Sequence, residues 1–156
     1  MKFVFEFGET KSQLRKIPWA NVFSSSKILV VGLDENGDIM AICGIRSIFN
    51  ILTLYVCRDW RGRGIGYKIL KETIGIARER HLGFIMLGVF CGNVRAFHLY
   101  SKFGFEEVVF LKRRSLRIMM LPMNFVGEVA YLFICAITFL LPNLFWTYVA
   151  QWIHNA

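Results

Sequence analysis

Two short segments of this chain carry residue types and spacings that could do chemistry. The first is Trp60-Arg61-Gly62-Arg63-Gly64-Ile65-Gly66, which follows the apolar run Ile51 to Val56 and opens an amphipathic helical pattern. A strand, a glycine-rich turn and a helix start together form an anion cradle. The first N–H groups of a helix lack internal partners, and the helix dipole places partial positive charge on them. Glycines let that backbone close on a phosphate with no Cβ in the way. Arg61 and Arg63 add full charges whose forks suit phosphate oxygens. The segment reads as a pyrophosphate site.

Two common phosphate loops do not fit it. The dinucleotide fingerprint G-x-G-x-x-G would need glycine where Tyr67 stands, and no Gly-Lys-Ser/Thr follows as in a P-loop. What remains is Arg-x-x-Gly-x-Gly at Arg61, Gly64 and Gly66. Downstream, after the apolar run ending Leu87-Gly88-Val89, comes Asn93-Val94-Arg95-Ala96-Phe97-His98-Leu99-Tyr100-Ser101-Lys102-Phe103-Gly104-Phe105. These two motifs, in this order and at this separation, resemble the GCN5-related N-acetyltransferase family. The resemblance covers roughly residues 28–122, is poor over the first 27, and does not extend to the tail.

The resemblance implies transfer of an acetyl group from acetyl-CoA to a primary amine, with no metal. It implies that Arg61, Gly62, Arg63, Gly64, Ile65 and Gly66 hold the pyrophosphate of coenzyme A. Backbone N–H groups around Leu54, Tyr55 and Val56, on one of two splayed strands, would receive the thioester carbonyl. Asn93 matches an asparagine that contacts the cofactor arm, and Asn also suits a plain N-cap. Tyr100 matches a tyrosine near the cofactor sulfur, where a phenol can protonate the departing thiolate. The same tyrosine also suits the core face of an amphipathic helix. Many relatives carry a glutamate where this chain has Gly88, so no general base is evident; Glu106 and Glu107 read as solvated. The alternative is a catalytically silent coenzyme A-binding adaptor or sensor at a membrane.

The elements that must position these residues follow from periodicity. Lys2 to Phe7, Lys27 to Leu33, Ile39 to Ser47, Phe49 to Val56, Phe84 to Phe90, Phe105 to Leu111 and Ser115 to Leu121 read as strands. Asn36-Gly37 is a hairpin signal. Ile65 to Arg80 and Val94 to Phe103 read as helices, the first capped by Gly83. Glu9 to Ser26 reads as a short helix and loops. The expected fold is α/β, with a mixed, mostly antiparallel sheet flanked by helices.

Composition adds a second theme. The chain has 156 residues, 55% of them hydrophobic, and a formal net charge of +8; mean hydropathy is +0.46. The basic residues are scattered apart from Lys112, Arg113, Arg114 and Arg117, and no nucleic-acid motif is present. Cys43, Cys57, Cys91 and Cys135 have no metal-ligand spacing and read as small buried hydrophobes. Residues 1–123 are expected to form the acetyltransferase domain and 124–156 a hydrophobic helical tail. From Val129 to Ile153 no charged residue or histidine occurs, and Trp146, Tyr148 and Trp152 cluster near the far end. That length and placement suggest a membrane anchor, with Arg117 and the Lys112–Arg114 turn keeping the enzyme domain cytoplasmic. The strands end by Leu121, so a chain cut after Asn124 is expected to remain a soluble domain. The alternative is two helices packed on the domain or on a second subunit, because Pro142 interrupts the run and Asn143, Thr147 and Gln151 form a polar stripe.

Overall fold

The structure, a computed structural model, describes residues 2–4, 23, 26–46 and 49–140, of which 2–4 and 138–140 are described by backbone alone. It divides into two compact units, Met1–Leu82 and Gly83–Ala156.

In the first unit β1 (Lys2–Val4), β2 (Ser26–Leu33), β3 (Ile39–Arg46) and β4 (Leu52–Val56) pair in that order, each antiparallel to the next. The β2–β3 turn follows the local chemistry of its sequence. The Asp34 carboxylate accepts the N–H groups of Asn36 and Asp38 at 2.9 and 2.8 Å, and Gly37 takes a left-handed φ of 84°. One face of the sheet buries Phe23, Leu29, Val31 and Ile42. Helix α1 (Ile65–Glu79) packs across β2, β3 and β4, burying Ile65, Ile69, Leu70, Thr73, Ile74 and Ala77. Thr73 is sealed inside, its hydroxyl donating to the Ile69 carbonyl at 2.8 Å.

The end of α1 differs from expectation. His81, not Gly83, takes the left-handed conformation, with φ 55°. The Leu82 N–H bonds the Ala77 carbonyl and the His81 N–H the Arg78 carbonyl. That is a Schellman closure, made here by histidine, which tolerates positive φ better than bulkier residues.

In the second unit β5 (Phe84–Phe90), β6 (Glu106–Leu111) and β7 (Leu116–Pro122) form a sheet ordered β5-β7-β6, again antiparallel throughout. The expected mixed sheet is therefore two antiparallel sheets among the described residues. Helix α2 (Val94–Lys102) follows β5, and Gly104, with φ 87°, turns the chain into β6. β5 is expected to be buried on both faces, yet Gly88 and Phe90 are exposed.

Helix α3 (Phe125–Leu140) lies on this sheet. Ala130, Tyr131, Ile134 and Cys135 pack on a buried cluster of Met86, Val108, Val109, Leu116, Ile118 and Met120. Asn124 caps the helix by accepting the Gly127 N–H at 3.1 Å. Gly127 sits so close to Gly83 that a Cβ there would overlap the Gly83 carbonyl. Among the described residues no helix is long and apolar enough to cross a membrane. The transmembrane expectation is corrected to that extent: the described helix has 16 residues, about 24 Å of rise, and one side of it is core. Trp146, Tyr148, Trp152 and the polar stripe lie outside the described residues.

Candidate functional site

The anion turn in the first unit is built from both ends. β4 is the edge strand of its sheet among the described residues; its register turns the N–H and C=O groups of Leu54 and Val56 away from β3, whereas those of Tyr55 face Ile42 and are not free for a ligand. After β4, a single 3-10 turn, Arg58–Trp60, reverses the chain. Arg61 then folds back, and its Nε donates to the Val56 carbonyl at 3.0 Å. That bond ties the turn to the strand end and fixes the direction of the guanidinium. Arg63 rests over the Trp60 ring, its guanidinium carbon 5.1 Å from the ring centre. Trp60 is the contributor that reading the sequence missed. Its signal was an aromatic three residues before an arginine, in a segment where only charge and glycine drew notice.

Gly62 and Gly64 both hold left-handed φ, 78° and 74°, and Gly64 is the N-cap of α1 with no side-chain cap bond. A Cβ at either position would meet no protein atom within 4 Å. Two demands coincide here. The backbone needs glycine for its conformation, and the space a side chain would fill is left open. The N–H groups of Ile65 and Gly66 are in the first turn of α1, without an intrahelical acceptor. Ile65 is buried and anchors the helix start, while Arg61 through Gly64 are exposed. An exposed turn with positive helix-end charge and two oriented guanidinium groups fits a diphosphate.

In the second unit Asn93 is an N-cap. Its Oδ1 accepts the Ala96 N–H at 3.2 Å, and its carbonyl accepts from Phe97. Tyr100 is buried, edge-on to Phe105 with ring centres 5.7 Å apart. The helix start and the Phe105 ring therefore set the position of the tyrosine along α2. His98 is exposed on the same helix.

The acidic residues are engaged elsewhere. Glu107 bonds Arg117 at 2.6 Å. Glu106 accepts from the Tyr131 hydroxyl, a bond that, with partial burial, pushes the phenol up to about 12. They are thus partnered rather than simply solvated. Arg117 also lies over the rings of Phe97 and Phe110, at 4.9 and 5.6 Å. Its guanidinium is held even more firmly protonated, chiefly by the Glu107 bond. Gly88 is exposed, and a Cβ on it would come no closer than 3.4 Å to Leu116. The strand accepts a Cβ at this position but carries no carboxylate there. Among the four cysteines, Cys43 is fully buried beside Thr73, and burial pushes its thiol up to about 12.

Residues 2–105 match the Acetyltransferase (GNAT) family. The chain belongs to that family. It is 26% identical over 100 residues to a putative phosphinothricin acetyltransferase, YwnH, of Bacillus subtilis, covering 59% of this chain and 61% of the relative. It is 32% identical over 95 residues to the N-alpha-acetyltransferase RimI of Mycobacterium tuberculosis, covering 56% and 58%. The chain thus spans about three fifths of the length of these two relatives. A GNAT-family acetyltransferase structure from Staphylococcus aureus Mu50 superposes with TM-score 0.63 at 17% identity, over 79% of this chain and 99% of that one. That likeness shows the fold.

Proposed function

We propose that this protein is an N-acetyltransferase that moves an acetyl group from acetyl-CoA to a primary amine. The observation that carries the reading is the Arg61–Gly66 turn, where left-handed glycines leave open space at the start of α1. In this reading the N–H groups of that turn, with Arg61 and Arg63, bind the pyrophosphate. Outward-facing backbone N–H groups of Leu54 and Val56 receive the thioester carbonyl oxygen, and Tyr55 between them is held to β3. The relatives' names, a phosphinothricin acetyltransferase and an N-alpha-acetyltransferase, support a nitrogen acceptor.

The neutral amine attacks the thioester carbon. A C–N bond forms, the C–S bond breaks, and coenzyme A leaves as a thiolate. Tyr100 donates its phenolic proton to that sulfur and is reprotonated from water. The proton lost by the nitrogen passes to water. Holding both reactants in place supplies much of the acceleration. The reading also places the reaction at a membrane surface, on its cytoplasmic side, from the uncharged run Val129 to Ile153.

The test is calorimetry with acetyl-CoA, followed by thiol release with a panel of amines. Binding with turnover is expected. Absence of binding at millimolar ligand ends the proposal, and binding without turnover on any amine replaces it with a silent coenzyme A-binding protein.

A further inference from the structure

Helix α3 has two apolar sides, and among the described residues only one of them packs on the sheet. Ala130, Tyr131, Ile134 and Cys135 face the core. On the opposite side Phe125, Val126, Val129, Leu132 and Phe133 are 77, 67, 49, 66 and 65% exposed. Their spacing of three and four residues makes them one continuous stripe. A helix that is hydrophobic all round belongs in an apolar environment on every side. With large side chains at about 150–250 Å² each, the exposed stripe is of order 500 Å², at the upper end for a soluble monomer.

We infer that this stripe is a membrane-docking surface and that α3 lies along an anionic bilayer, half embedded, rather than crossing it. This deepens the membrane placement proposed above and rests on it. Three observations favour a bilayer over a second copy. The stripe alone falls short of the about 800 Å² per partner of a standard protein interface, whereas a lipid surface sets no such minimum. The sequence continues uncharged to Ile153, so the apolar character does not end with the stripe. The net charge of +8 suits anionic headgroups. The inner side of α3, wedged at Gly127 against Gly83, keeps the helix on its own sheet, which requires a parallel rather than a crossing orientation.

The test is co-sedimentation of the full chain with vesicles of phosphatidylcholine, with and without phosphatidylglycerol. The variants are Leu132→Ser with Phe133→Ser, and Val129→Ser alone. All are exposed positions, and retained acetyl-CoA binding and circular dichroism confirm folding. Wild type is expected to sediment with the anionic vesicles, and the double variant to lose at least about tenfold of that partition. If wild type stays in the supernatant, both this inference and the membrane placement fall. If wild type and variants sediment alike, the placement survives and the role of α3 falls. If light scattering shows a dimer that the variants dissociate, with no vesicle binding, the stripe is a self-association surface and the inference is overturned. Acetyl-CoA binding, measured separately, is indifferent to all of these outcomes.

Discussion

Cutting the chain after Asn124 should unfold the second unit, contrary to what the strand pattern suggests. The strands are complete by Pro122, but their lower face is not covered without α3. Six side chains, Met86, Val108, Val109, Leu116, Ile118 and Met120, are at most 9% exposed and pack against the helix. Full burial of such side chains stabilises by about 1.5–3 kcal/mol each. If α3 supplies half of that burial, its removal costs roughly 5–9 kcal/mol, an upper estimate given residual structure in the unfolded chain. That is the whole stability of a typical small domain. Gly127→Ala is the graded version. Its Cβ would overlap the Gly83 carbonyl, so the helix must shift. Overpacking costs about 1–3 kcal/mol, offset in part by alanine's better helix propensity of about 1 kcal/mol. The assay is urea unfolding followed by circular dichroism, with amide exchange of β5, β6 and β7 as the local readout. The truncated chain should lose protection in those three strands and bind a hydrophobic dye. A truncated chain that unfolds cooperatively at the wild-type midpoint, with those amides still protected, would refute the assignment of α3 to the core.

Three further outcomes follow from the site and its surroundings. Arg61→Ala removes both the proposed phosphate ligand and the clasp on the Val56 carbonyl; losing hydrogen bonds to a charged group costs about 1.5–3 kcal/mol, so KM for acetyl-CoA should rise roughly ten- to hundredfold in steady-state kinetics while kcat changes little. Tyr100→Phe keeps the edge-on contact with Phe105 and removes only the hydroxyl, so kcat should fall about a hundred- to ten-thousandfold. Unchanged turnover would assign Tyr100 to packing alone. Stability should decline at alkaline pH: below the ordinary tyrosine value near 10 both states hold the Tyr131 proton, and between there and about 12 only the folded state does, so folding loses ground as pH rises through that window. Tyr131→Phe should flatten the slope in pH-dependent denaturation, leaving the part of the same sign that comes from the buried Cys43 thiol.

The anion turn was legible because its chemistry is local. Glycine at 62 and 64 answers a backbone need that any reader of the sequence can see, and the structure places both in left-handed φ. The same holds for the Asp34–Gly37 turn and for Asn93 as a cap. What escaped was decided by distant packing. Gly83 looks like a helix cap because glycine usually fills that role. Here His81 closes α1, and Gly83 is small for another reason, the approach of Gly127 some 44 positions later in the chain. Glu106 and Glu107 look solvated until β7 and α3 bring Arg117 and Tyr131 to them.

The tail shows why composition alone misleads. An uncharged stretch reads as one span because periodicity analysis needs polar residues to mark a surface, and α3 has hardly any. Its two sides are nonetheless distinct: one holds Gly127, Ala130, Ile134 and Cys135, the other Phe125, Leu132 and Phe133. The inner side is marked by small residues at the point of closest approach, since only glycine lets the helix meet the Gly83 carbonyl. The outer side keeps the bulk. A crossing helix has no use for a glycine fitted to its own domain's backbone, whereas a helix that must serve a core and an apolar surface at once needs both kinds of side. That division predicts the separation of effects: substitutions at Gly127 should change unfolding and leave vesicle binding per folded molecule intact, and substitutions at Leu132 and Phe133 should do the reverse. A Gly127 variant that folds yet no longer binds vesicles would break the division.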